Sequence, residues 1–280
     1  MEHDDLEQVA RRICQKRDMQ FVRCEGEGTF KQTFQVVGPD GIQFALKLYK
    51  AANFGSRDQR EIDSMLRCKH KNIARLVSVD THSYEGHQFV AITEEFLPGG
   101  TLTSKGRLTV EQCLKIGGQL IDALAHIAGL ELVHRDIKPD NIMFRADGST
   151  PVVTDFGVVR VLSDSSLTPT WAARGPGTPF FSSPEQLNNQ KDLTDWRSDQ
   201  FSLGIVLAYV TLGDHPYRAT GISDHEVVDK VSSRKGPTEP FIEQANAVGL
   251  RDLTRMVAPW PVDRYRKPAQ LTQAWGRQKG

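Results

Sequence analysis

At FLPGG (residues 96–100) the hydrophobic pattern of the chain changes period, and that change limits the folds open to it. Upstream, Met19 to Val37, IQFALKLYK (42–50), NIARLVSVD (72–80) and HQFVAITEEF (87–96) alternate apolar with polar residues and are rich in β-branched and aromatic side chains, the signature of strands. GPDG (38–41) and SYEG (83–86) supply turns between them. Downstream, apolar residues recur at helical spacing over 109–129, 195–212, 222–233, 243–257 and 267–276. Two further stretches read as helical: residues 4–16, with Leu6, Val9, Ala10 and Ile13 on one face, and the charged segment from Arg57 to Cys68. The expectation is an α+β chain, a small antiparallel sheet lobe with one main helix followed by a larger, mostly helical lobe. There is no internal repeat and no low-complexity tract.

A chain of 280 residues is long enough to bury a sizeable core. Its 35 basic and 35 acidic side chains cancel, so no net field draws it to nucleic acid or a membrane surface. Cys14, Cys24, Cys68 and Cys113 are scattered without zinc-site spacing and read as reduced thiols. The polar amino terminus MEHDDLEQVARR does not resemble a secretory signal, and the apolar run from Phe201 is too short to cross a bilayer. These features predict a soluble, cytoplasmic protein.

Three stretches carry chemistry. GEGTFKQTF (26–34) has two glycines one residue apart, which suit backbone N–H groups closing on a phosphate, although such a pair taken alone is more often an ordinary turn. VHRDIKPDNIMF (133–144) gathers two aspartates, a lysine and an asparagine in one polar loop, and VVTDFGVVR (152–160) adds a third carboxylate after a strand. Carboxylate and amide oxygens so grouped are hard ligands suited to Mg²⁺, and the lysine suits a phosphate.

These motifs resemble those of the eukaryotic-type Ser/Thr protein kinases. In order come GEGTFKQTF, FALK with Lys47, Glu61 in QREIDSMLR, HRDIKPDN (134–141), DFG (155–157), SPE (183–185), SDQFSLG (198–204) and Arg264 in VDRYR. The resemblance implies the bilobal protein-kinase fold, with an N-terminal helical extension over 1–19, an N-lobe over 20–94 and the hinge and C-lobe over 95–280. It also implies ATP with Mg²⁺, or Mn²⁺ in its place, as cofactors, and protein substrates with serine or threonine acceptors.

Site roles follow from the same resemblance. Gly26, Glu27, Gly28, Thr29, Phe30 and Thr33 would form the nucleotide loop and Ala45 would pack on the adenine, which Glu95 and Leu97 would bond through their backbones in the cleft joining the lobes. Lys47 would neutralise the α- and β-phosphates, anchored by Glu61. Asp136 would orient and accept the proton of the substrate hydroxyl, Lys138 would contact the γ-phosphate, and Asn141 and Asp155 would hold the metal. His134 would be a core residue, stacked in the family with Phe156 and Met65. Asp199 would cap the catalytic-loop backbone, and Glu185 would pair with Arg264. Three positions depart from the family: Lys31 replaces the third glycine, Thr33 stands where a valine commonly covers the adenine, and Glu94 stands at the back of the nucleotide pocket, where an apolar or small residue is commoner. A carboxylate there requires a partner or an altered pKa.

Between DFG and SPE the chain is rich in serine and threonine. Phosphate on Ser165, Ser166, Thr168 or Thr170 could pair with Arg135 and Arg160 and order the segment, with autophosphorylation in trans as one source. Thr178 matches the threonine that braces Asp136 and Lys138. The alternatives to an active protein kinase are an ATP-binding pseudokinase scaffold and a small-molecule phosphotransferase. The presence of Lys47, Glu61, Asp136, Asn141 and Asp155 argues against the first, and the SPE segment and Lys138 against the second.

Overall fold

Strand-type alternation builds a five-stranded antiparallel sheet from β1 (Gln20–Glu27), β2 (Lys31–Val37), β3 (Gln43–Ala51), β4 (Leu76–Tyr84) and β5 (His87–Glu95), in the order β1-β2-β3-β5-β4. The computed structural model describes residues 4–27, 31–51, 66, 68–155 and 178–278. They fall into two units, the first holding described residues up to 69 together with 74–98, the second 70–73 and 99 onward.

Both predicted turns close their hairpins as their residues require. In Gly38–Gly41 the Gly41 N–H donates to Gly38 O at 2.9 Å and Asp40 Oδ1 accepts from Ile42 N at 3.0 Å, with Gly41 at φ +78°. Between β4 and β5, Glu85 and Gly86 both have positive φ (47° and 77°) inside the Tyr84–His87 pair, the two-residue turn whose twist matches a hairpin.

One face of this sheet is dry. Helix α1 (Asp4–Lys16) lays Val9, Ala10, Ile13 and Cys14 onto Phe34, Val36, Leu46, Leu48 and Phe89, all of them buried. The i, i+3, i+4 spacing of those helical residues is what lets one stripe cover a sheet. Just past the helix, Arg17 reaches two strands, donating from Nη1 to Thr93 Oγ1 (3.0 Å) and from Nη2 to Asp80 Oδ2 (2.5 Å). Apolar packing and one charged hook together fasten α1 to the sheet.

In the second unit, α2 (Val110–Gly129) begins at a capping box, Thr109 with Gln112, and buries Cys113, Ile116, Leu120, Ile121, Leu124 and Ile127. The helices that follow are α3 (Pro184–Leu187), α4 (Trp196–Leu212), α5 (Asp224–Ser232), α6 (Glu239–Ala247), α7 (Asp252–Met256) and α8 (Pro268–Arg277). Helix α4 is buried around nearly its whole circumference, so the apolar run from Phe201 is a core helix. Trp275 of α8 packs in the same core and donates its indole N–H to Leu114 O at 3.0 Å. A short ribbon of β6 (Ile142–Phe144) and β7 (Pro151–Val153) carries the polar loop that precedes it. Gly99 lies flat against that ribbon: its N–H donates to Phe144 O at 2.9 Å, and a Cβ would come within 2.2 Å of Arg145 O. The break at FLPGG is therefore a close backbone crossing.

Two expected elements differ. NIARLVSVD is not a strand from its start: Ile73 bridges Val153 in parallel, Asn72 O accepts from Val153 N, and the Asn72 side chain donates to Pro151 O at 2.7 Å. Asparagine's capacity to bond backbone on its own ties residues 70–73 to β7, and the strand begins only at Leu76. The helix expected over 243–257 is two helices. Gly249 (φ +79°) ends α6, with Leu250 N bonded to Ala245 O (2.8 Å) and Gly249 N to Asn246 O (3.1 Å), a Schellman termination sealed by buried Leu250.

All four cysteines are free, and burial pushes the Cys68 and Cys113 thiols up to about 11. Among the described residues, no helix is long and apolar enough to cross a membrane.

Buried polar groups brace the second unit. Tyr217 N donates to His215 Nδ1 (3.1 Å), so the proton sits on Nε2 and is donated to Phe180 O (3.0 Å). Burial holds this imidazole's pKa down at about 3.

Two outcomes follow from this packing. Ile13→Ala, which removes the centre of the α1 stripe, should destabilise the first unit by about 2–5 kcal/mol in urea denaturation; a loss near zero would mean α1 is not part of its core. Below pH 6.5 the unfolded chain protonates His215 while the folded one does not until about pH 3, so this contribution is complete above 6.5 and declines as pH falls. The slope should approach about 1.4 kcal/mol per pH unit. Urea midpoints between pH 7.5 and 4.5 should be less pH-dependent in His215→Gln than in the wild type.

Candidate active site

The face of the first sheet opposite α1 collects the residues expected at the nucleotide. Antiparallel register places Gly26, Thr33, Lys47 and Ile92 in one row across four strands, and Gln35, Ala45 and Glu94 in the next. Directly opposed residues share a face, so Gly26, Thr33, Ala45, Lys47 and Glu94 sit together by pairing alone. Gly26 has no positive φ, and a Cβ there would meet no atom within 4 Å. Among the described residues nothing requires that glycine, which fits a backbone left bare for a ligand. At the end of β5 the Glu95 N–H is committed to Arg75 O (3.0 Å). Leu97, its side chain buried, makes no backbone hydrogen bond among the described residues, so its amide suits an adenine edge.

Lys47 and Glu94 are both 5% exposed and form a buried ion pair. Ala45 stands directly opposite Glu94, and its small side chain leaves the diagonal open for the longer Lys47. The carboxylate that seemed out of place in the sequence thus has its partner in the adjacent row.

In the second unit a buried carboxylate shapes the polar loop. Asp199, near the start of α4, accepts from His134 N through Oδ2 and from Arg135 N through Oδ1, both at 2.7 Å. Burial pushes its carboxyl above the ordinary range, against the pull of the His134 and Arg135 groups. Held there, Arg135 takes φ +69°, a conformation that side chains with a Cβ rarely adopt. His134 is fully buried; Asp136 N donates to its Nδ1 (3.3 Å), so its Nε2–H donates to Thr154 O (2.9 Å). With both nitrogens used, His134 is part of the frame. Gln186 of α3 adds a bond from Nε2 to Arg135 O at 2.9 Å.

On this frame Asp136 is one-third exposed, and its Oδ2 accepts from Lys138 Nζ (2.9 Å) and Asn141 Nδ2 (2.8 Å). Asn141 Nδ2 also donates to Asp136 O (2.9 Å), which turns the amide oxygen to the other side. Thr154 N donates to Asn141 O (2.9 Å), so Asp155, at φ +59°, follows directly on the residue that ties β7 to this loop. Positive φ at Arg135 and Asp155 is strain of about 1–3 kcal/mol each, held by the surrounding bonds.

Glu185 and Arg264 are fully buried and bidentate, at 2.7 and 3.1 Å. Ser198 Oγ donates to Glu185, while Arg264 donates onward to the Arg197, Ala258 and Pro259 carbonyls. Burial is the largest single influence and would raise the Glu185 carboxyl, but the Arg264 charge and hydrogen bonds, with those of Ser198 and the backbone, together leave the group below the ordinary range. Every charge is answered, as burial demands.

Gly28, Thr29, Phe30, Glu61, Met65, Phe156, Arg160, Ser165, Ser166, Thr168 and Thr170 lie outside the described residues, as do the side chains of Glu27, Lys31 and Thr178. The sequence reading missed Gln186, the His215–Phe180 bond and the Arg17 hook. Each joins residues far apart in sequence, and only Ser183-x-x-Gln186, a capping-box pattern, left a local trace.

Similarity to known proteins agrees with this arrangement. The protein kinase domain family model matches residues 20–258. "Probable serine/threonine-protein kinase PkwA" of Thermomonospora curvata is 33% identical over 74% of this chain and 28% of its own length. "Serine/threonine-protein kinase 36" of Pongo abelii is 30% identical over 70% of this chain and 15% of its own, and "Serine/threonine-protein kinase ppk34" of Schizosaccharomyces pombe 30% over 59% and 47%. The chain spans less than half the length of each of these relatives. With the motifs in order and their residues set on the sheet face and polar loop described above, the chain belongs to the protein kinase domain family.

Proposed function

We propose that this chain is a serine/threonine protein kinase that transfers the γ-phosphate of ATP to hydroxyls of protein substrates. The observation that carries the reading is the Asp136 constellation. Its Oδ2 is held by Lys138 and Asn141, leaving Oδ1 as acceptor for a substrate hydroxyl, which it orients for attack and whose proton it takes. Lys138, already beside that carboxylate, is placed to follow charge onto the transferred group, and its presence favours serine and threonine acceptors. The names of the relatives point the same way.

The donor set suits the family's divalent metal. Asn141 offers an amide oxygen and Asp155 a carboxylate, hard ligands for Mg²⁺, with Mn²⁺ an acceptable substitute. A metal held by these two residues would supply positive charge to offset the charge developing on the transferred group. Lys47 does the same for the α- and β-phosphates, Gly26 leaves its backbone bare to them, Thr33 and Ala45 line the base, and Glu95 O and Leu97 N–H bond its edge. By the family motif, Glu27, Gly28, Thr29 and Phe30 are assigned to the phosphate loop and Glu61 to the anchoring of Lys47.

Regulation follows from Arg135, whose Nε is buried without a hydrogen-bond partner among the described residues. A phosphate on Ser165, Ser166, Thr168 or Thr170, placed by a second copy of the chain, would satisfy it. Four free thiols suit a reducing compartment such as the cytoplasm.

The purified chain incubated with Mg-ATP should gain phosphate on serine or threonine by intact mass and peptide mapping. Asp136→Asn and Lys47→Met should each lower the rate by about 10²–10⁴-fold with the fold intact. ATP binding without any transfer would indicate a scaffold, and transfer only to added small molecules would indicate the other phosphotransferase reading; either overturns the proposal.

A further inference from the structure

The family pattern assigns the anchoring of Lys47 to Glu61, yet a carboxylate within the sheet is already in contact with it. Lys47 and Glu94 are buried side by side on strands β3 and β5, one row apart on the face that carries Gly26, Thr33 and Ala45. A buried ammonium is penalised unless a counter-charge touches it, and the same holds for a buried carboxylate. Each group is therefore the counter-charge that burial demands of the other. Because Glu94 belongs to the sheet that carries the lysine, the contact requires no helix to move into place.

Glu94 is also set firmly. Its neighbour Thr93, on the opposite face of β5, is gripped by Arg17, which in turn is paired with Asp80 of β4. Strand β5 is hydrogen-bonded on both sides, to β3 and to β4. A side chain on such a strand points where the sheet sends it, so the direction in which Glu94 draws the ammonium is built into the fold.

We infer that Glu94 is a positioning residue for nucleotide binding: it holds Lys47 charged and aligned along the sheet face, so that the lysine meets the α- and β-phosphates of ATP without a search of its rotamers. This rests on the kinase reading. It differs from a steric role at the back of the pocket, because it acts only through Lys47 and only on ligands that carry phosphates.

The test is a double-mutant cycle read by direct binding. Mg-ATP and adenosine, which shares the base and sugar but has no phosphate, are titrated into the wild type, Glu94→Gln, Lys47→Met and the double variant, each first checked by thermal unfolding. Glu94→Gln should weaken Mg-ATP about tenfold, the scale of one charge-assisted hydrogen bond, leave adenosine within about twofold, and have no further effect once Lys47 is methionine. In turnover the loss should appear in KM for ATP more than in kcat. Should Glu94→Gln not fold, Glu94→Met carries the same comparison.

Equal weakening of adenosine and ATP would overturn the inference, as would an undiminished effect in the Lys47→Met background. Tighter ATP binding in Glu94→Gln would also contradict it, since Glu94 would then be a competitor of the phosphates. A wild type that binds adenosine and ATP and transfers phosphate, with Glu94→Gln unchanged, sinks this inference and leaves the kinase reading standing. A wild type that binds neither ligand removes both.

Discussion

The geometry of the polar loop depends on one buried carboxylate. Asp199 lies in the interior of the second unit and accepts two backbone N–H bonds, from His134 and Arg135, at 2.7 Å each. An anion buried so deeply is tolerable only because those donors are fixed and point at it. In return it holds Arg135 at positive φ and so fixes the start of the turn from which Asp136 and Lys138 project. His134 continues the frame by bonding Thr154, which bonds Asn141, which bonds Asp136. A closed circuit of short bonds thus runs from a core helix to the ribbon and back to the Asp136 carboxylate. Such rigidity suits the proposed phosphoryl transfer, in which positioning and charge do most of the work.

The first unit reaches precision by a different route. Its sheet has one face covered by α1 and the other left to carry Gly26, Thr33, Ala45, Lys47 and Glu94. Alternation makes both possible at once: Phe34, Leu46 and Leu48 turn inward because Thr33, Lys47 and Ala45 turn the other way. A one-residue slip of β3 would put Lys47 among the leucines and leave Leu46 and Leu48 outside. Packing under α1 therefore guards the register of the lysine, and the Arg17 hook onto Thr93 does the same for Glu94.

Much of this was legible in the sequence because it is local. The helix over residues 4–16, the turns at Gly38–Gly41 and Glu85–Gly86, and the capped helix from Val110 follow from spacing and from residues with one favoured conformation. The motif residues of the polar loop were legible for the same reason, all lying within a few positions of one another. What stayed hidden is long-range. Nothing beside Asn72 says that its amide will bond Pro151 and pull residues 70–73 away from the sheet. Helical periodicity continued across Gly249, although a glycine followed by leucine was a stop signal that could have been used. Glu94 was visible as an anomaly, but its partner lies on another strand, and pairing across strands depends on a register that sequence does not state.

The central claim is that the sheet face is built for ATP and the polar loop for its metal and the acceptor hydroxyl, and a crystal structure of the chain with Mg²⁺ and a non-hydrolysable ATP analogue tests it most directly. The account predicts the metal bound by Asp155 and the Asn141 amide oxygen, the α- and β-phosphates at Lys47, and the adenine edge at Glu95 O and Leu97 N–H. A nucleotide bound away from these atoms, or a metal that ignores Asn141 and Asp155, would contradict it.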